Sequence, residues 1–461
     1  MTTAAAAPAF EKNNKRITNA WCMYDWANSV YPLTITSAIF PIYWNSQIKE
    51  GVEFLGMNIS NTVLYSYCLS IAFLIIALLN PILSGVADIA GNKKKFMKAF
   101  VLIGCVSCAG MSFFDSTHVW IGMLTFILGT IGFAGSLVFY NAYLPEIATE
   151  DHYDRLSAKG FSLGYLGGVV LLIVNLTVIL FPQLLFDIDG KAAAFAQQGM
   201  GAEESLKAAK NFYSGPASRL AFITVGVWWY LFSLIPFHYL PKGKPATDKI
   251  SLTRGYKELR KVFQEVKHNR VIMKYLAAFF FYSMGVQTVM YVAAIFGDKE
   301  LKIPAENLII TILIIQLIAV PGAYLFSMLS KKAGNFRALL VSVVVWVGVC
   351  IAAYFVNGVN QFYMLAAVVG FIMGGIQSLS RSTYAKLIPT NTIDTASYFS
   401  FYEFTEKVAI VLGTFGFGLI EYLILKSTGE TSMRYSVLSL MSYFIIGGIV
   451  LYTLRKVNPE D

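Results

Sequence analysis

Apolar runs recur from about residue 20 to residue 454, and short polar segments separate them. Each run is long enough to cross the ~30 Å hydrocarbon core of a bilayer as a helix. The runs are continuous and do not alternate with polar residues, which excludes a transmembrane barrel. Six helices are expected at about 20–44, 62–87, 96–114, 119–144 and 160–181, and in a sixth run ending near 240. Six more follow at about 271–296, 307–329, 338–356, 362–387, 400–425 and 435–454. The polar, alanine-rich stretch 183–216 reads as a loop carrying a short surface helix. Between the two sets, 241–270 is too rich in Lys and Arg to enter lipid. The organisation expected is a tail (1–19), a six-helix bundle (20–240), a basic connector (241–270), a second bundle (271–455) and a short tail (456–461).

The two bundles echo each other. A charged turn at 84–95, S-G-V-A-D-I-A-G-N-K-K-K, returns 243 positions later at 327–337 as S-M-L-S-K-K-A-G-N-F-R. Ser84/Ser327, Ala90/Ala333, Gly91/Gly334 and Asn92/Asn335 stay in register, whereas Asp88 is matched by Lys331. Each copy follows the second apolar run of its half and precedes the third, the mark of a tandem duplication. The fold class is therefore an all-α polytopic membrane protein, with twelve transmembrane helices in two pseudo-symmetric six-helix bundles.

Composition narrows the picture. Of 461 residues, 56% are hydrophobic and 14% charged, with a mean hydropathy of +0.59. Soluble domains carry about 25% charged residues, so this chain lacks the polar surface to cover itself. The formal net charge of +9 would point to nucleic acid in a soluble protein. Here Lys and Arg concentrate in the tail, the even-to-odd loops, the connector and the C-terminus, which places both termini in the cytoplasm and makes nucleic acid no expected partner. Anionic lipid at the connector is an additional expected contact. The start of the chain has no apolar core and does not read as a cleaved signal.

A charge at mid-bilayer costs about 2.5–3.5 kcal/mol on insertion scales, so acids and bases within spans are the first functional candidates. Asp25 shares a face of the first helix with Asn28, Ser29 and Pro32. Its distance from Tyr43 leaves two roles open, a site or gate residue and a cap at the helix start. Arg381 lies on one face of the tenth helix with Gln377 and Tyr384; it either snorkels to headgroups beside Lys386 or closes the inner mouth as an ion pair with Asp25. Glu403 and Lys407 stand at i,i+4 on the eleventh helix, with Glu406 between them. Tyr282, Ser283, Gln287 and Tyr291 on the seventh helix, Tyr140, Asn141 and Tyr143 on the fourth and Gln316 on the eighth are candidates to line a central cavity, with Asn141 and Gln287 nearest mid-span.

The turn that holds Asp88, Gly91 and Lys93–Lys95, with Ser84 at the place of the motif's first glycine, resembles the motif of the major facilitator superfamily. The stretches W-C-M-Y-D-W-A-N-S (21–29), A-I-F-P-I-Y (38–43), Y-N-A-Y-L-P-E-I-A (140–148), L-G-Y-L-G-G (163–168) and S-R-S-T-Y-A-K-L-I-P (380–389) resemble one branch of it, the autophagy-related vacuole effluxer family and its bacterial relatives. The resemblance implies secondary transport by alternating access, and for the vacuolar members amino-acid efflux. It further implies a conformational latch in which Asp88, with Gly91 and the echoing Lys331 and Gly334, engages the start of the eleventh helix, near Glu403 and Lys407. The stripe Gly160, Gly164, Gly168 is expected to pack on the eighth helix of the other half.

Other chemistries find little support. There is no nucleotide-binding G-x-x-x-x-G-K-[ST] loop. The five cysteines fall within helices, and Cys105-x-x-Cys108 has no His partner nearby. No metal or other cofactor, and no enzyme activity, is expected. The favoured reading is a monomeric secondary transporter of a bacterial inner membrane, moving a small neutral or zwitterionic solute, with protons as a coupling ion through Asp25 or a glutamate. A transporter-like receptor acting through the connector is the alternative, and an intramembrane enzyme the third reading.

Overall fold

The computed structural model describes residues 11–48, 51–54, 57–243, 252–390, 392–428 and 432–454. The ends of both tails and residues 244–251 of the connector lie outside the described residues. Helices are α1 Lys15–Asn28, α2 Ile39–Gln47, α3 Asn61–Ala90, α4 Lys93–Gly110, α5 Val119–Asn141, α6 Leu144–Ile147, α7 Glu150–Leu180, α8 Ile188–Ala196 and α9 Ala202–Tyr239. The connector helix α10 Leu252–His268 leads to α11 Arg270–Lys299, α12 Ala305–Ala333, α13 Asn335–Phe355, α14 Val359–Leu387, α15 Thr395–Thr428 and α16 Met433–Leu454. A two-stranded antiparallel hairpin, Val52–Phe54 with Met57–Ile59, sits between α2 and α3.

Eleven of the described helices are long and apolar enough to cross a membrane. The first span differs from the single helix expected over 20–44. It starts earlier, at Lys15, and a wide-turn segment at Tyr31–Ala38 separates α1 from α2. Pro32 stands at the head of that segment and donates no backbone hydrogen bond, so the ladder re-registers there. Such π-type turns recur at functional sites. With this span the twelve-helix, two-bundle architecture is complete. The spans carry exposed Leu74, Leu78, Val106, Leu231, Val344 and Phe415, apolar surface that suits contact with lipid.

Two further boundaries differ from expectation. The sixth span begins at Ala202, so 202–216, expected as loop, forms the first turns of α9. The connector is a docked helix. A Cβ on Gly85 of α3 would sit 2.3 Å from the Gly255 carbonyl, so the two backbones meet with no room for a side chain. Val262 and Val266 of α10 are buried. Lys261 donates to Asp394 (3.1 Å) and Tyr398 to Glu265 (2.8 Å), which ties α10 to the start of α15 as well. Burial pushes the Asp394 carboxyl above its usual range, and the hydrogen bond from Lys261 draws it back.

Candidate functional site

The two bundles meet around a cavity of about 250 Å³. Asn28, Ser29 and Pro32 reach it from the first span, Asn141 from α5, Gln287 and Tyr291 from α11, Gln316 from α12, and Gln377 and Arg381 from α14. Glu403, Glu406 and Lys407 reach it from α15. The wide-turn segment adds Thr36 and Ser37 to the same wall. Asn28 is 2% exposed and its Nδ2 has no hydrogen-bond partner among the described residues.

Asp25 and Arg381 form the floor. Both Arg381 Nη atoms lie 3.1 Å from Asp25 Oδ2, and Tyr140 donates its hydroxyl to the same oxygen at 2.7 Å. Arg381 Nε donates to Ser157 Oγ (2.9 Å) and Nη2 to the Ser157 carbonyl (3.0 Å). The guanidinium stacks over Phe161 and Trp21, 4.2 and 4.7 Å from their ring centres. Desolvating this pair is expensive, and its geometry offsets the penalty because every guanidinium nitrogen has an acceptor. Gly160 explains the fit of α7 against it, since a Cβ there would meet Asp25 Oδ2 at 2.3 Å. Asp25 lies ten residues into α1, whose cap is Asn14, accepting from the Arg16 and Ile17 amides. Its cap role is excluded, and Arg381, 3% exposed, does not snorkel.

A second charged group stands beside this floor. Lys407 Nζ donates to Glu403 (3.1 Å) and to Glu406, so one ammonium serves two carboxylates. Asn141 Nδ2 donates to Glu403 Oε1 (2.9 Å) from the opposite bundle, while its Oδ1 faces Arg381 Nη1 at 3.5 Å. Gln287 donates to Glu406 Oε1 at 3.0 Å, and Tyr165 to Gln377 Oε1 at 2.7 Å. Glu403 and Lys407, expected near the latch, thus belong to the cavity. They lie about two and three turns beyond the start of α15, and the helix carries them inward past the turn.

The turn itself makes a separate contact. Asp88 accepts from the backbone amides of Ala396 (3.2 Å) and Ser397 (2.8 Å), the opening turn of α15, where an anion is favoured. Lys93 pairs with Asp88 (3.3 Å) and with Glu146, and donates to Thr395. Gly91 ends α3 in the left-handed region at φ 57°, which its lack of a Cβ permits, and so sets the angle between Asp88 and Lys93. The echoing turn works with the acid reversed. Lys331 is exposed and makes no ion pair among the described residues, so it has no part in a latch. Its neighbours Ser330 and Asn335 donate to Asp154 of α7 (both 2.8 Å), which also pairs with Lys386 at 3.0 Å. Gly334, at φ 88°, makes the break between α12 and α13 that presents Asn335. The glycine stripe of α7 packs mainly on α1 of its own half, against Asp25, Ser29 and Leu33, and α12 is met instead by Ser162.

Ser157, Asp154, Ser330 and Asn335 are the site residues that sequence reasoning missed. In the sequence Asp154 is one acid among several charges between Glu146 and Arg155, and the serines carry no distinguishing signal. Asn335→Ala should lower stability by about 1 kcal/mol, read by thermal unfolding, because Lys386 keeps Asp154 paired. A fall of several kcal/mol would contradict that sharing.

The fold is that of the major facilitator superfamily. The chain aligns over 97% of its length with the proton:xylose symporter XylE (TM-score 0.68, 13% identity, 97% of that chain) and over 95% with FucP in its outward conformation (TM-score 0.65, 13% identity, 97% of that chain). The family model "Vacuole effluxer Atg22 like" matches residues 13–154 and 149–458, and the chain belongs to that family. A Bacillus subtilis relative described as an uncharacterized MFS-type transporter, YxiO, is 31% identical over 96% of both chains. Autophagy-related protein 22 of Yarrowia lipolytica is 22% identical over 80% of this chain and 72% of its own. The protein is an integral, multi-pass MFS-type transporter.

Proposed function

We propose that this transporter is a proton-coupled secondary carrier that moves a small zwitterionic or neutral solute, amino-acid-like in size and polarity, by alternating access. It works as a monomer in a bacterial inner membrane with both termini cytoplasmic. The cavity carries the reading, because it presents Asp25, Glu403 and Glu406 beside Arg381 and Lys407 and adds uncharged amides at Asn28, Gln287, Gln316 and Gln377. Charges of both signs within one enclosure suit a solute carrying both. Carboxylates exceed cations by one, which leaves a place for a proton. The cross-bundle hydrogen bonds Ser157–Ser378, Asn335–Asp154, Arg381–Asp25 and Ser397–Asp88 lie toward the connector end, which supports access to the cavity from the other face, outward under the proposed topology.

Proteoliposome uptake of a panel of neutral amino acids, with and without an inward proton gradient, tests this. Saturable uptake that the gradient changes is the expected result; no uptake of any of them would overturn the solute class. Gln377→Leu, which removes a cavity amide and strands the Tyr165 hydroxyl, should raise KM about tenfold with less effect on kcat.

A further inference from the structure

We infer that Glu403 is the proton-binding site of this transporter and that Asn141 is the positioning residue that transmits its protonation state to the Asp25–Arg381 pair. The inference rests on the transporter reading above and adds to it the identity of the coupling residue and the route of coupling.

The two charged groups differ in how well they tolerate a proton. Asp25 takes both Arg381 Nη atoms and the Tyr140 hydroxyl, so neutralising it would strand a guanidinium enclosed by Trp21 and Phe161. Glu403 and Glu406 instead share the single ammonium of Lys407, so a proton placed on one of the two acids leaves that ammonium paired with the other. Of the two, Glu403 is the more enclosed, at 3% exposure, whereas Glu406 faces the cavity and Gln287. Besides Lys407, Glu406 and Tyr402 on its own helix, the polar and charged groups around Glu403 are Asn141 of α5 and, beyond it, Arg381 of α14, with Tyr282 and Tyr291 of α11 near Glu406. Arg381 is the one further cation among them; it makes no ion pair with Glu403 and its nitrogens are taken by Asp25, Ser157 and Asn141.

Asn141 is the only described side chain that hydrogen-bonds both groups, and its amide can satisfy them in one orientation only. A carboxylate accepts but does not donate, so ionised Glu403 takes the Nδ2 hydrogens and turns Oδ1 toward Arg381. A proton taken from cavity water converts Glu403 into an O–H donor. The amide can then turn its oxygen to Glu403, which aims its NH₂ at the guanidinium, donor against donor. That withdraws one acceptor from Arg381 and adds repulsion across the bundle boundary. Protonation therefore loosens the floor, and release of the proton on the connector side lets it re-form.

Spin labels at R155C and K332C, exposed positions at the connector ends of α7 and α12, report this directly, since the native cysteines are buried. In purified full-length protein titrated from pH 8 to pH 5, the wild type should shift toward longer distances. Glu403→Gln should hold the long-distance population at every pH, and Glu403→Asp should keep the response. Asn141→Leu should abolish the response, and Glu406→Gln should keep it with the midpoint moved to lower pH, because a repelling charge is gone. A wild-type response in Glu403→Gln or Asn141→Leu, or no response in the wild type, overturns the proposal. Solute uptake persisting in that case would leave the transporter reading standing.

Discussion

Arg381→Ala should reduce solute uptake at least a hundredfold and destabilise the protein by about 3–5 kcal/mol, the usual result of removing one partner from a buried ion pair. The lost side chain would leave Asp25 with the Tyr140 hydroxyl as its remaining side-chain partner and would open a gap between Trp21 and Phe161. Arg381→Lys should also fail, because one ammonium cannot reach Asp25, Ser157 and Asn141 together as the three guanidinium nitrogens do. The double variant Asp25→Asn/Arg381→Gln separates fold from function: its unfolding temperature should recover most of the loss while uptake stays absent. Uptake near the wild-type level in Arg381→Ala would remove the pair from the mechanism.

Asp88→Ala should shift the conformational equilibrium away from the state seen here. It deletes two charge-assisted bonds to the first turn of α15 and leaves Lys93 with Glu146 as its one acid. Such bonds contribute about 1.5–3 kcal/mol each when an ionised group is involved. About 3 kcal/mol in total corresponds to a population change of more than a hundredfold. Distances between the labels at R155C and K332C should lengthen accordingly at neutral pH. Asp88→Asn should show a smaller shift, since it keeps the shape and loses the charge. An unchanged distribution in Asp88→Ala would mean that the contact follows closure and does not hold it.

The helical plan was legible because hydrophobic runs of span length have few alternatives in a chain so poor in charge. Asp25 and Arg381 stood out for the same reason: ionised groups at such depth need partners, and opposite signs at matching depth left few candidates. What escaped the sequence was geometry that depends on tertiary contact. The wide turn after Asn28 follows from Pro32 within a packed bundle, and the docking of α10 follows from two glycines, Gly85 and Gly255, far apart in the chain. The internal repeat misled in one respect. Lys331, in register with Asp88, is expected in the same latch, yet duplication preserved the joint and exchanged which element carries the acid. Asp154 on α7 now supplies it to Ser330 and Asn335. Similarly, the resemblance to the superfamily implies that Glu403 and Lys407 lie near the latch. The helix starts at Thr395, and Asp88 engages that end, two turns from the cavity.

The central claim is that two bundles rock about a shared cavity and open it to one face at a time. Its most direct test follows two distances in one reconstituted protein: R155C to K332C at the connector end, and N45C to K302C at the opposite end. When a transported solute is added under a proton gradient, the first distance should lengthen as the second shortens, in the same fraction of molecules. Solute crossing the membrane while both distances stay fixed, or lengthen together, would contradict the account.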